Sequence, residues 1–201
     1  MAAPPCPIAL IGGSSHLGKS TTAAIVAARL GGEARSTDHL ARHPGRPWPA
    51  GGVPVRPHVA QHYSTLPLDE LIASVLAHYR QTVWPLVQAL LAERDAAAPP
   101  LVLEGSALLP DLVAALGAPT VRAVWLVAEP GLIKARIRRE SRYATADTAG
   151  RALIDAFLAR SLRFDALVRD EARRLGLHVL EIGADTSEDA AATAVMRVLA
   201  G

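Results

Sequence analysis

The sequence is poor in cysteine and lacks a long apolar segment. Its single cysteine, Cys6, excludes an internal disulfide and fits a reducing compartment. No apolar run approaches the roughly 20 residues of a membrane-spanning helix. The first residues lack the basic and apolar regions of a signal peptide. The formal net charge of +2 is too small to indicate nucleic-acid binding. These absences predict a cytoplasmic protein that binds neither membrane nor nucleic acid.

The rest of the composition is that of an ordinary globular domain. The chain has 201 residues, of which half are hydrophobic and a fifth are charged. This length predicts one domain, residues 1–201. Strand-like apolar segments alternate with helix-like segments and no hairpin signal separates them, which predicts an α/β fold with a parallel sheet. The predicted strands are 7–11, 33–37, 101–104, 121–128 and 177–183. The predicted helices are 19–30, 68–96 with a kink or break near Pro85, 110–117, 129–143, 151–176 and 187–200.

Residues 13–20, GSSHLGKS, match the phosphate-loop pattern of Gly, any four residues, Gly, Lys and Ser or Thr. A predicted strand precedes the segment and a predicted helix follows it, as the pattern requires. Backbone N–H groups and the helix N-terminus would hold phosphate oxygens. We expect Lys19 to reach the β- and γ-phosphates and the Ser20 hydroxyl to bind Mg²⁺. The predicted nucleotide-binding residues are Gly13, Ser14, Ser15, His16, Leu17, Gly18, Lys19, Ser20 and Thr21, with His16 contributing its backbone N–H rather than imidazole chemistry.

Two further motifs are missing. The only other lysine, Lys134, lies in IKARI, which is not the Asn/Thr-Lys-x-Asp motif of a GTPase. The predicted third strand ends in Glu104, without the aspartate that is typical of a motor ATPase. The histidines also lack a metal-ligand spacing, so no zinc site is predicted. Together these absences favour a small phosphotransferase.

Two carboxylates follow predicted strands, at the sheet edge where ligands gather in open α/β folds. Asp38 could orient an acceptor hydroxyl and take its proton, or hold Mg²⁺ through a water, or the segment 36–38 could only cap a following helix. Glu104 could hold the water shell of a metal or a substrate hydroxyl, or it could form a structural ion pair.

The segment 41–67 is rich in proline and is predicted to lack regular structure. A stretch of that length inside a compact domain is commonly a lid or binding loop, and the alternative is a mobile surface insertion. Its arginines and histidines favour a loop on the substrate side.

The segment 129–150 begins as a basic helix and ends in the flexible-looking loop 144–150. Arg138 and Arg142 would share one helix face, and Arg136 and Arg139 another. The pattern predicts an Arg-rich lid that closes over a transferring phosphate. A solvated helix paired with Glu140 is the alternative.

The sequence resembles small-molecule P-loop kinases, and most nearly the 2-phosphoglycerate kinase-like group. The resemblance is carried by GGSSHLGKST, by Ser-Thr-Asp after the first helix, by LVLEGSALLP and by the segment 155–183. It implies a three-layer P-loop fold of the nucleotide/shikimate-kinase type with a five-stranded parallel core, and it implies ATP and Mg²⁺. It also implies an acceptor site lined by Asp38, 39–62 and Glu104, and an adenine near 184–187.

The predicted function is ATP-dependent transfer of the γ-phosphate to a hydroxyl of a small anionic metabolite, by a monomer or homodimer. A regulatory nucleotide-binding ATPase without such an acceptor is the alternative, as is a kinase of an antibiotic or a nucleotide-sugar. The predicted catalytic residues are Lys19, Asp38, Arg138 and Arg142. The predicted acceptor-binding residues are Asp38, Arg42, Arg56, His58, Glu104 and Arg139.

Overall fold

The computed structural model describes residues 8–41, 45–49, 53–95 and 97–200. Within these ranges five strands form one parallel sheet in the order β2-β3-β1-β4-β5. This confirms the predicted sheet. The strands are β1 Ile8–Gly13, β2 Glu33–Ser36, β3 Leu101–Glu104, β4 Val121–Ala128 and β5 His178–Ile182. The inner strands β1 and β3 are apolar along nearly their whole length because helices cover both of their faces.

In the part of the chain that the structure describes, eight α-helices connect and flank the strands. They are α1 Lys19–Leu30, α2 Pro57–Thr65, α3 Leu68–His78, α4 Trp84–Ala92, α5 Pro110–Ala114, α6 Pro130–Glu140, α7 Thr148–Arg174 and α8 Glu188–Ala200. A π-helical segment, Tyr79–Val83, separates α3 from α4 just before Pro85, which agrees with the predicted break. Ser187 caps α8 as predicted, because its Oγ accepts a hydrogen bond from the N–H of Ala190 at 3.1 Å.

The core lies on the two sides of the sheet. On one side, α1 and α8 pack with α2, α6 and the N-terminal half of α7, which contributes Phe157. On the other side, α3, α4 and α5 pack with the C-terminal half of α7, which contributes Phe164. The 27-residue α7 therefore reaches both apolar layers.

Two segments predicted to lack regular structure are partly helical. Within 41–67, α2 begins at Pro57, where a proline needs no hydrogen-bond partner for its nitrogen, and it buries Val59 and Tyr63 one turn apart. Within 144–150, α7 begins at Thr148, and the Asp147 side chain accepts a hydrogen bond from the N–H of Gly150 at 2.7 Å. The proline-rich and small-residue compositions concealed these helix starts. No helix in the described ranges is long and apolar enough to cross a membrane.

Candidate active site

The phosphate loop connects β1 to α1 and leaves β1 by a sharp turn at Gly13. Gly13 has φ 128°, and a Cβ there would lie 2.2 Å from the Leu126 carbonyl oxygen of β4. Only glycine allows the loop to leave the sheet so close to the neighbouring strand. The Ser14 hydroxyl donates to the Ser161 carbonyl at 3.1 Å, which fixes the loop to α7. The predicted strand–loop–helix context is therefore present.

Lys19 is buried at the start of α1, and its ammonium donates to the Ser14 carbonyl at 2.7 Å across the loop. Burial lowers the pKa of Lys19, and the nearby Arg46 lowers it further, while Glu104 and Asp38 oppose that shift. The lysine thus sits between the loop and two carboxylates. A phosphate at this position would supply the negative charge that a buried ammonium requires.

Glu104 ends β3 next to Ser20. Its side chain is 4% exposed, and its Oε1 accepts a hydrogen bond from the Ser20 hydroxyl at 3.0 Å. Glu104 forms no direct ion pair with any described residue. The alternative role of Glu104, a structural ion pair, therefore finds no partner in this part of the chain. A hydroxyl and a carboxylate oxygen side by side are the kind of hard ligands that Mg²⁺ prefers, so the residues present fit this metal.

Asp38 lies in a short 3₁₀ turn, Thr37–His39, directly after β2. The cap of this turn is Ser36, whose hydroxyl oxygen accepts from the N–H of Asp38 at 3.3 Å. The Asp38 carboxylate is exposed and forms no ion pair with any described residue. Capping therefore does not occupy the Asp38 side chain, which remains available to a ligand.

Two adjoining cavities meet beside Asp38. The phosphate-loop cavity, about 570 Å³, is lined by residues 15–22 and by parts of α6 and α8. The side cavity, about 710 Å³, is lined by the segments 45–48 and 53–59, by α3 and the π-helical turn, and by α7. Both cavities share Ser15, Asp38, Arg46 and Ser106. Thr186 and Ser187 line the phosphate-loop cavity, in the segment that the family resemblance associates with the adenine.

The basic helix α6 presents a different face from the one predicted to be catalytic. Arg136 donates to the His16 carbonyl at 3.0 Å, and Arg139 lines the phosphate-loop cavity. Arg138 instead stacks over the Tyr143 ring at 4.3 Å and approaches Asp155 at 3.6 Å.

Arg142 is exposed, and neither it nor Arg138 is among the described residues that line the cavities. Buried Ile133 and Ile137 fix this rotation of the helix. The predicted catalytic pair, Arg138 and Arg142, therefore lies away from both cavities, whereas Arg139, predicted to bind the acceptor, lines the phosphate-loop cavity.

The side cavity contains several cations. Arg56 and His58 line it, whereas Arg42, also expected there, lies outside the described residues. Arg160 of α7 was missed. It is 7% exposed, donates to the Tyr63 hydroxyl at 2.6 Å, and forms no ion pair in the described ranges. The sequence signal was an arginine three residues after Phe157, on the apolar stripe of an amphipathic helix.

Tyr79 is a second missed residue of the side cavity. It begins the π-helical turn, and its side chain hydrogen-bonds with that of Ser106. Burial raises the pKa of Tyr79 to about 12, so its hydroxyl stays neutral and can donate. π-helical turns often occur at functional sites. No sequence pattern marks this one.

The overall fold is found in a solved kinase. A gluconokinase from Sinorhizobium meliloti 1021 superposes with a TM-score of 0.57 at 18% identity, over 98% of this chain and 94% of that chain. The chain has the fold of a small-molecule kinase. A shikimate kinase from Bacteroides thetaiotaomicron gives a TM-score of 0.48 at 16% identity, over 94% of each chain. No protein-family model and no curated protein matches the chain significantly. The nearer likeness to 2-phosphoglycerate kinase-like proteins stays a prediction.

Proposed function

We propose that this protein transfers the γ-phosphate of ATP to a hydroxyl group of a small anionic acceptor. The observation that carries the proposal is the pair of adjoining cavities, one built on the phosphate loop and one rich in cations, with Asp38 shared between them. A nucleotide in the phosphate-loop cavity and an acceptor in the side cavity could therefore meet at Asp38.

The nucleotide phosphates would bind to the loop amides and to Lys19. When ATP binds, the Lys19 ammonium would exchange its bond to the Ser14 carbonyl for phosphate oxygens. Ser20 would ligate Mg²⁺, and Glu104 would hold a water of its shell. The metal would neutralise charge on the β- and γ-phosphates when bound.

Asp38 would orient the acceptor hydroxyl and take its proton. The acceptor oxygen forms a bond to the γ-phosphorus as the bond from that phosphorus to the β–γ bridging oxygen breaks, and ADP leaves with that oxygen. The proton of the hydroxyl passes to the Asp38 carboxylate. The exposed carboxylate has no ion-pair partner among the described residues, so it is free to receive it.

The acceptor's anionic group would bind to Arg160, with Arg56 and His58 nearby. A buried guanidinium without a carboxylate carries an uncompensated cost, which an acidic ligand would offset. A carboxylate and a phosphate both match the guanidinium fork. This cluster supports the expectation of an anionic acceptor. The name of the gluconokinase that shares this fold agrees with an acidic acceptor but does not select one.

The decisive experiment is a mass-spectrometric screen for phosphorylated products, in which the protein is incubated with MgATP and a metabolite extract. We expect one compound to gain a phosphoryl group.

Asp38→Asn is expected to lower that activity at least about 100-fold while ATP affinity stays within about threefold. Asp170→Asn on the exposed side of α7 is the matched control. ATP hydrolysis that no extract accelerates, with Asp38→Asn indistinguishable from the parent, would favour the regulatory ATPase.

A further inference from the structure

Arg46 occupies the junction of the two cavities. It is the one arginine among the described residues that lines both. Its neighbour Trp48 is 4% exposed and fixes the segment 45–49, with ring centroids 4.8 Å from Phe157 and 5.8 Å from His16 of the phosphate loop. The backbone that carries Arg46 is therefore anchored beside the loop that would hold the phosphates.

The partner of Arg46 belongs to another element. Glu140, at the end of α6, forms an ion pair with Arg46, and its second oxygen lies 3.0 Å from His16 Nε2. The two side chains are 52% and 41% exposed, so their attraction is weakened by solvent and the pair is worth little. A phosphate group with higher charge would compete well for Arg46.

We propose that Arg46 binds the γ-phosphate of ATP and stabilises the phosphoryl group during transfer, and that Glu140 is its counter-ion in the nucleotide-free protein. The proposal rests on the proposed function only in taking ATP as the phosphoryl donor. Arg46 gains and loses no proton. Its planar fork donates hydrogen bonds to two phosphate oxygens, whose charge increases as the bridging bond breaks.

The electrostatics of the loop agree with this placement. The positive charge of Arg46 lowers the pKa of Lys19 and that of His16, so its guanidinium acts on the loop at short range. Arg136 and Arg139 line only the phosphate-loop cavity, whereas Arg46 also faces the side cavity. Because Arg46 lies on the acceptor side, it can contact a phosphoryl group between donor and acceptor.

Calorimetric titration with MgATP and MgADP tests the proposal without an acceptor. Arg46→Ala is expected to weaken MgATP binding at least about tenfold and MgADP binding less than about threefold, because only ATP presents a γ-phosphate. Arg46→Lys should recover part of the difference, since it keeps the charge but not the fork. Arg174→Ala, which removes an exposed arginine paired with Glu171, is the control. Equal weakening of both nucleotides, or of neither, overturns the proposal.

Glu140→Gln tests the counter-ion. Without the competing carboxylate, MgATP is expected to bind several-fold more tightly to Glu140→Gln, and this gain should vanish when Arg46→Ala is added. A gain that persists without Arg46 would show that Glu140 repels phosphate directly, and would overturn the counter-ion role. Both experiments use nucleotide alone. A product screen that finds no phosphorylated compound would therefore contradict the proposed acceptor activity without affecting the test of Arg46.

Discussion

His16 is a buried imidazole in the loop that would hold the phosphates. Its side chain is 3% exposed. Burial lowers the pKa of His16 to about 4, and the cations Arg46, Lys19 and Arg136 contribute to this shift. Glu140 favours the protonated ring, but the other effects outweigh it. The ring is therefore neutral near pH 7. A neutral ring fits this position, because the cations already beside the loop leave little room for another positive charge.

The stability of the protein should depend on pH through His16. The pKa of His16 in the folded protein lies below the unfolded value of 6.5. The stability that depends on the neutral ring is therefore present above pH 6.5 and is lost as the pH falls towards 4. At pH 4.5 the loss amounts to about 2–3 kcal/mol. The substitution His16→Asn suits this position because asparagine tolerates its positive φ of 65°. In urea titrations at pH 7.5 and 4.5, the fall in unfolding free energy between the two pH values should be smaller for His16→Asn than for the parent, by about the same 2–3 kcal/mol. The control His178→Asn should behave as the parent does, and a His16→Asn profile parallel to the parent would contradict the assignment.

Arg160 should matter for the acceptor and little for folding. Arg160→Met removes the bond to Tyr63 together with a buried charge that has no ion-pair partner among the described residues, so the free energy of unfolding should change by less than about 1 kcal/mol. The KM for the acceptor found by the product screen should rise at least about 30-fold, with ATP affinity unchanged. Arg163→Met, on the exposed face of α7, is the control. Large destabilisation of Arg160→Met with an unchanged KM would assign a structural role instead.

At the scale of elements, the 3₁₀ turn that carries Asp38 rests against the end of β3. Gly105 has φ 152°, and a Cβ there would lie 1.7 Å from Thr37 Oγ1. Gly105→Ala should therefore displace the turn, cost about 2 kcal/mol or more, and reduce acceptor phosphorylation at least about tenfold. Denaturant titration and turnover assays measure both effects. Gly131→Ala, at the start of α6 with open space around it, should be neutral; equal activity of the two variants would show that the turn tolerates movement.

The elements were predictable where local and tertiary preferences agree. The apolar runs at Ile8 and Val121 could only become buried strands, and the glycines and Lys19 defined the phosphate loop. The rotation of α6 was not predictable, because Arg136 and Arg138 look alike until Ile133 and Ile137 meet a core. Arg46, Tyr79 and Arg160 come from three distant segments, and only the folded chain brings them to one cavity pair.

At the scale of the whole molecule, nucleotide binding should stabilise the fold, because the site is assembled from β1, α1, β3 and α6 and does not exist in the unfolded chain. At a concentration of 100 times Kd, MgATP should add about 2.7 kcal/mol, which raises Tm by about 5–10 °C for a chain of this length. Lys19→Ala should lose this shift, whereas Lys134→Ala, which removes the only other lysine, should keep it. A full shift in Lys19→Ala would refute the phosphate-loop assignment, and differential scanning calorimetry gives the answer.

The position of Trp48 provides an optical reporter within the native chain. Of the three tryptophans, Trp84 and Trp125 are buried in the apolar layer on the opposite side of the sheet. Trp48 alone contacts His16, so its indole lies one ring away from the phosphate loop. A change in intrinsic emission on adding nucleotide can thus be attributed to one residue by comparison with Trp48→Phe. Stopped-flow fluorescence could then resolve the order of nucleotide and acceptor binding without any added dye.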